Sequence, residues 1–249
     1  MKKIAVITGA GKKRIGWHIA KKLGAEGYSL ALTYRSDPVE AESNANELRT
    51  LGFNVSLECV ELSDELQVQQ FFRSTVEKHG AIDLLVNCAS IWVKKSIEAT
   101  NAHDLMENFK ANVIATFLCS QMAGEIMVNQ KKGGHIITIG DWATKRPYRD
   151  YSAYFATKGS ITTLSRCLAV EFGSRNPSVR VNCIQPGPVM VPTNLPESER
   201  NESIMATLVQ REGSPEDVAE AVVFLEKSKF LTGIEIPVDG GRSIWARGY

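Results

Sequence analysis

KIAVITGAGKKRIG, residues 3–16, is the stretch that decides the fold. Its first six residues, KIAVIT, have the length and apolar character of a short buried strand. GAGKKRIG, 9–16, follows as a glycine-rich turn, and WHIAKKLGAEG, 17–27, then has helical spacing. A strand that passes through such a turn into a helix opens a dinucleotide-binding sheet, because backbone N–H groups at the helix start meet a pyrophosphate.

Outward from this opening, strand-like and helix-like stretches alternate. SLALTY (29–34), NVSLECVEL (54–62), IDLLVN (82–87), HIITIG (135–140), VRVNCIQ (179–185) and GIEIPVDGG (233–241) read as strands. Between them lie helical patterns at 39–52, 66–80, 101–130 and 159–175, the last with Ile161, Leu164, Leu168 and Phe172 at core spacing. Ser214-Pro215-Glu216-Asp217 opens another helix, with an N-cap, a Pro in its first position and acids in its first turn. The pattern predicts an α/β fold: a Rossmann-type, doubly wound parallel sheet of about seven strands with helices on both faces. Residues 190–212, rich in Pro, Glu, Ser and Asn, are weakly patterned and predict a mobile substrate lid.

A length of 249 residues with 43% hydrophobic content suits one large core and a single domain over 1–249. The net charge of +1 gives no reason to expect nucleic acid or another polyanion as partner. Apolar runs are strand-sized, short of the roughly 20 residues of a membrane span, and MKKIAVITGA enters a strand rather than a signal peptide. A soluble, cytoplasmic protein is expected. Five scattered cysteines and four dispersed histidines suggest neither disulfides nor a metal site.

The chemistry is expected in DWATKRPYRDYSAYFATK, 141–158. Tyr154 and Lys158 are four residues apart and share one helix face, where an ammonium would hold down the phenol's pKa. Asp141 stands at the end of the HIITIG strand, and open α/β sheets place their chemistry at strand ends. At the end of SLALTY, Tyr34 replaces the acid that takes a ribose 2′-OH, and Arg35 follows. An Arg there suits a 2′-phosphate, so NADPH is the expected cofactor, with Arg14, Arg35 and Ser36 holding the phosphate.

The order of these features resembles the short-chain dehydrogenase/reductase family, whose Tyr-x-x-x-Lys would be Tyr154 and Lys158. Against the family's T-G-x-x-x-G-x-G, Thr8, Gly9 and Gly16 fit, but the turn is one residue longer and Arg14 replaces the middle glycine, with Lys12 and Lys13 beside it. The resemblance implies cofactor contacts from Gly9, Arg14, Ile15 and Gly16, from Glu61 and Leu62 beside the adenine, and from Asn87 and Ala89 in Asn87-Cys88-Ala89-Ser90. It also implies contacts from Tyr154, Lys158, Pro186, Gly187 and Val189 at the nicotinamide end, the last through its backbone to the carboxamide. Asn112 matches the helix asparagine that holds a water on the proton path, and the tail RSIWARGY, 242–249, would reach a neighbour in a homotetramer.

Arg14, Ser90, Trp92 and Asp141 each resemble the pteridine-reductase branch of that family. There an aromatic at Trp92 sandwiches a flat heterocycle, and Asp takes the place of the usual Ser at 141. An ionised Asp has no proton to donate to a ketone oxygen, whereas a pterin offers N–H donors for it to accept and a C=N bond to reduce. The resemblance therefore implies an NADPH-dependent reductase of a dihydropterin or dihydrofolate, with Arg14, Trp92, Asp141 and Tyr154 at the substrate. Two alternatives stay open: a general carbonyl reductase or alcohol dehydrogenase in which burial keeps Asp141 protonated, and an inactive NADP(H)-binding sensor.

Overall fold

The structure, a computed structural model, describes residues 2–190 and 196–245. β1 (Ile4–Ile7) runs into α1 (Ile15–Ala25), β2 (Ser29–Tyr34) into α2 (Pro38–Thr50), and β3 (Val55–Cys59) into α3 (Glu65–His79). After β4 (Leu84–Asn87) come α4 (Ala102–Asn108), a π-helical turn (Phe109–Ile114) and α5 (Ala115–Val128). β5 (Gly134–Ile139) leads through a 3₁₀ turn (Trp142–Thr144) to α6 (Ser152–Arg175). β6 (Val179–Pro186), α7 (Glu197–Met205), α8 (Pro215–Lys227) and β7 (Glu235–Val238) complete the order.

The strands form one seven-stranded sheet in the order β3-β2-β1-β4-β5-β6-β7. Every pairing is parallel. The chain winds outward from β1 to one edge, then returns to β4 on the other side, so a crevice opens between the exits of β1 and β4. Strand side chains alternate faces, and the core divides accordingly. Ala5, Ile7, Leu30, Leu32, Leu84 and Val86 pack with Trp17, Leu23, Val218 and Val222 of α1 and α8. Val6, Ala31, Leu85 and Ile136 pack on the other face with Phe72, Met127 and Phe172 of α3, α5 and α6. Two covered faces explain why the strands read as continuous apolar runs.

Three expectations change in detail. β3 stops at Cys59, short of the predicted Leu62, and its residues are only partly covered because it is an edge strand. The long helix over 101–130 holds a π-helical turn at Phe109–Ile114. The segment read as an unpatterned lid contains α7, while 191–195 of it lie outside the described residues, as do 246–249 of the C-terminal tail. One helical stretch, Ala102–Val128, is long and apolar enough to cross a membrane by length and composition alone. Cys119, Ala123 and Met127 along it are buried in the core against the sheet, the place of a core helix.

Candidate active site

A cleft of about 1160 Å³ opens along the carboxyl edge of the sheet. Gly9 and Arg14 line it after β1, Arg35 and Ser36 after β2, Glu61 and Leu62 after β3, and Ala89 and Trp92 after β4. Asp141 follows β5, Gly187 and Val189 follow β6, and Arg242 follows β7. Residues far apart in sequence meet here because parallel strands all deliver their exits to one edge.

Gly9 has φ +65, and a Cβ there would lie 2.8 Å from Ala89 Cα, so only glycine lets the β1 and β4 exits approach this closely. Thr8 Oγ1 ties the same two exits together, accepting from the N–H groups of Cys88 at 3.0 Å and Ala89 at 3.1 Å. α1 then starts at Ile15 with Arg14 as an N-cap that makes no side-chain capping bond, and no acid sits in the first turn. Unsatisfied N–H groups beside Arg14 favour an anion. Ile15 and Gly16 line the cleft here, as does Lys12, which also lies 3.2 Å from Glu40. Lys13 is instead paired with Glu47 and placed over the Trp17 ring, so the cationic rim is narrower than the sequence suggests.

At the β2 exit, Asp37 takes φ 59 and caps α2, its carboxylate accepting from Glu40 N at 3.0 Å. That leaves Arg35 and Ser36 on the cleft wall. This half of the cleft suits a nicotinamide dinucleotide, with an uncapped helix start for the pyrophosphate and, beyond it, Arg35 and Ser36 for groups on the adenosine ribose.

At the other end Tyr154 Oη donates to Asp141 Oδ2 at 2.7 Å. Asp141 Oδ1 accepts from Ala143 N at 2.8 Å, which holds the carboxylate as the cap of the 3₁₀ turn. Lys158 Nζ lies 5.9 Å from the Tyr154 ring centroid and donates to Ile139 O at 2.8 Å. All three line the cleft. The electrostatics differ from the sequence expectation that Lys158 lowers the phenol's pKa. Burial, then the charge and hydrogen bond of Asp141, push Tyr154 well above 10. Burial also raises the Asp141 pKa, against the opposing bonds from Ala143 and Tyr154 and the charge of Lys158. It lowers that of Lys158. The pair therefore holds a proton on the phenol rather than releasing it.

Asn112 is 1% exposed and is not on the cleft wall. Its Oδ1 accepts from Ser90 Oγ at 3.0 Å and Ile91 N at 2.8 Å, and its Nδ2 donates to Ile91 O at 3.2 Å and Thr157 Oγ1 at 2.9 Å. It clamps the loop carrying Trp92 to the helix carrying Tyr154. Asn87 is also off the wall, donating to Ser120 Oγ at 2.9 Å inside the protein. Val189 N–H already donates to Gly187 O at 2.8 Å, so a carboxamide bond through that donor would have to break a tight turn. Pro186 and Gly187 line the cleft beside it.

Trp92 is 45% exposed, and one face stacks on Tyr151 at 4.8 Å with an interplanar angle of 10°. Tyr148 meets Tyr151 edge-on at 5.2 Å. The two tyrosines and Arg242 are cleft residues that the sequence did not single out. Aromatics at 148, 151 and 154 recur at helical spacing, a signal present in the sequence, whereas nothing local marks Arg242. Among the described residues no group of three or more His, Cys, Asp or Glu could hold a metal.

Comparison with known proteins gives the same architecture. A family model described as "Enoyl-(Acyl carrier protein) reductase" matches residues 9–243. The chain is 33% identical to a short-chain dehydrogenase/reductase of Armillaria gallica, over 96% of this chain and 95% of that one. It is 32% identical to a 3-oxoacyl-[acyl-carrier-protein] reductase of Rattus norvegicus, over 99% of this chain and 100% of the other. A solved acetoin dehydrogenase of Enterobacter cloacae superposes with a TM-score of 0.88 at 28% identity, covering 100% of this chain and 98% of that chain. With a seven-stranded parallel sheet and a cleft bearing Tyr154 four residues before Lys158, the chain belongs to the short-chain dehydrogenase/reductase family and is an oxidoreductase that uses a nicotinamide cofactor.

Proposed function

We propose that the protein is an NADPH-dependent reductase of a flat, pteridine-like heterocycle, a dihydropterin or dihydrofolate. The observation that carries this reading is the 2.7 Å hydrogen bond from Tyr154 Oη to Asp141 Oδ2. A carboxylate at this position accepts hydrogen bonds, which suits the N–H and amino groups of a pterin ring and disfavours a developing alkoxide. The cofactor, when bound, supplies the hydride. Tyr154, with its proton retained, is the acid for the ring nitrogen, and Asp141 both orients the ring and shares that proton. Lys158 donates to the nicotinamide ribose, and Asn112 holds the loop on which Trp92 offers its free face to the ring. Glu61, Leu62 and Ala89 bound the adenosine side, and Arg14, Arg35 and Ser36 take the 2′-phosphate. The protein acts as a homotetramer in the cytoplasm.

Asp141→Ser should remove most dihydropterin oxidation of NADPH, followed by absorbance, while a fluorescence titration shows NADPH binding intact. Unchanged turnover would refute the role of Asp141.

A second reading, reduction of a ketone, is favoured by the names of the similar proteins, which support it better than the first. It requires protonated Asp141 as donor to the carbonyl oxygen, and burial does raise the pKa of this group. Ketone reduction that falls as pH rises through the Asp141 pKa, in an enzyme inert toward dihydropteridines, would establish it.

A further inference from the structure

The cleft carries a charge that neither reading uses. Arg242 leaves the β7 exit on a built turn: Asp239 Oδ1 accepts from Gly241 N at 2.9 Å and Oδ2 from Ser243 N at 2.7 Å. Arg146 braces the same segment, donating to Arg242 O at 3.2 Å and to Trp245 O. The Arg242 guanidinium lies over the Trp142 ring, 5.2 Å from its centroid, and so beside the residue that follows Asp141. Its Nη1 donates to Ser203 O at 3.0 Å. Arg242, Ser203, Trp142 and Tyr148 all line the cleft.

A guanidinium has five donors, and a carboxylate is its natural bidentate partner. Among the described residues none of the ion pairs includes Arg242. Burial and the neighbouring charge of Arg146 both work against its ionised form, and Glu202 compensates only in part. A partly buried cation held in place and short of counter-charge is stabilised by an incoming anion. Lys94 and Arg149 line the cleft as well, but Asp150, 3.8 Å from Lys94, offsets that charge, so the attraction for an anion rests on Arg242 itself.

We propose that Arg242 is an anion subsite, binding a carboxylate or phosphate that the substrate carries away from the atom being reduced. The natural substrate is then anionic. This rests on the cleft being the reductase site. Within the pteridine reading it selects a carboxylate-bearing dihydrofolate over a dihydropterin with an uncharged side chain, and within the ketone reading an oxo acid over its ester.

The test uses matched substrates with NADPH: dihydrofolate against dihydrobiopterin, and acetoacetate against methyl acetoacetate, for the parent protein, Arg242→Gln and Arg242→Lys. The parent should prefer the charged member, and Arg242→Gln should raise its KM by about 10- to 100-fold with kcat little changed, the loss expected for a charge-assisted bond. The uncharged member should change far less, and Arg242→Lys should recover part of the loss. Competition by inorganic phosphate at concentrations where acetate has no effect would assign the group as phosphate. Equal effects on both members, or parental preference for the uncharged one, would overturn the subsite. A split confined to the oxo acid pair would retire the pteridine reading and keep Arg242. If neither pair turns over, titration of folate and of biopterin onto the NADP⁺-loaded protein decides by affinity: discrimination lost in Arg242→Gln supports the subsite, and none in the parent overturns it.

Discussion

Asp141 changes what its neighbours do. Burial pushes the Tyr154 phenol up, and the charge and hydrogen bond of a carboxylate 2.7 Å from the phenol oxygen add to that shift, so Lys158 does not bring the phenol down. Tyr154 should therefore give no phenolate signal up to pH 10, read as the ultraviolet difference between the parent protein and Tyr154→Phe. The aromatic wall makes a second residue-scale prediction. With Tyr151 on one face of Trp92, the proposed flat substrate would add to an existing stack, and Trp92→Ala should raise its KM several-fold if stacking is worth about 1–3 kcal/mol. At the far end of the cleft Asp37 is occupied as a helix cap, so Arg35→Ala should weaken NADPH binding more than NADH binding in parallel titrations.

Between residues and molecule stand the elements that carry them. The π-helical turn Phe109–Ile114 sets the buried amide of Asn112 against both the 90–91 loop and Thr157 of α6, so one side chain couples the loop carrying Trp92 to the helix carrying Tyr154. Asn112→Ala removes four hydrogen bonds, two accepted from Ser90 Oγ and Ile91 N and two donated to Ile91 O and Thr157 Oγ1. At about 1 kcal/mol each in a buried setting the loss is of order 3–4 kcal/mol. A lower urea midpoint together with a raised substrate KM should follow; a lower midpoint alone would leave Asn112 a purely structural residue. The sequence shows an asparagine inside a long apolar helix, but its partners come from two other elements, and no local pattern names them.

Across the whole molecule, a polar knot closes the edge opposite the cleft. Glu226 at the end of α8 accepts from Tyr28 at 3.0 Å and lies 3.2 Å from His135 of β5 and 3.4 Å from Arg180 of β6. Asn182 is oriented by Leu231 O and Ile234 N, so its Nδ2 donates to His135 Nε2, while His135 Nδ1 faces both Arg180 Nη2 at 3.1 Å and Glu226 Oε2 at 3.2 Å. Burial lowers the His135 pKa from 6.5 to about 4. A base held neutral in the fold but free to protonate when unfolded contributes stability above pH 6.5 and loses it as pH falls toward 4. Glu226, held below its ordinary 4.5 by His135 and Lys229 despite burial, loses its contribution below that value. The melting temperature should drop by several degrees between pH 7 and pH 4.5, and more shallowly in His135→Asn. On the outer surface, exposed Met106, Ile114 and Phe117 give α4 to α5 an apolar face suited to the proposed tetramer. Light scattering should return four times the chain mass.

Alternating strands and helices, the glycine turn after β1, and the spacing of Tyr154 and Lys158 were all determined by the sequence itself, because each is written in neighbours a few residues apart. The tertiary structure alone decided that Asp141 faces the phenol, that Asn112 spans two elements, that Lys13 turns from the cleft while Arg14 stays, and that Arg242 arrives beside Trp142. Those outcomes depend on which strand exits meet at one edge of the sheet, and on burial, which sets the sign of the shifts at Asp141, Tyr154 and Lys158. A linear chain carries neither quantity until the sheet has closed.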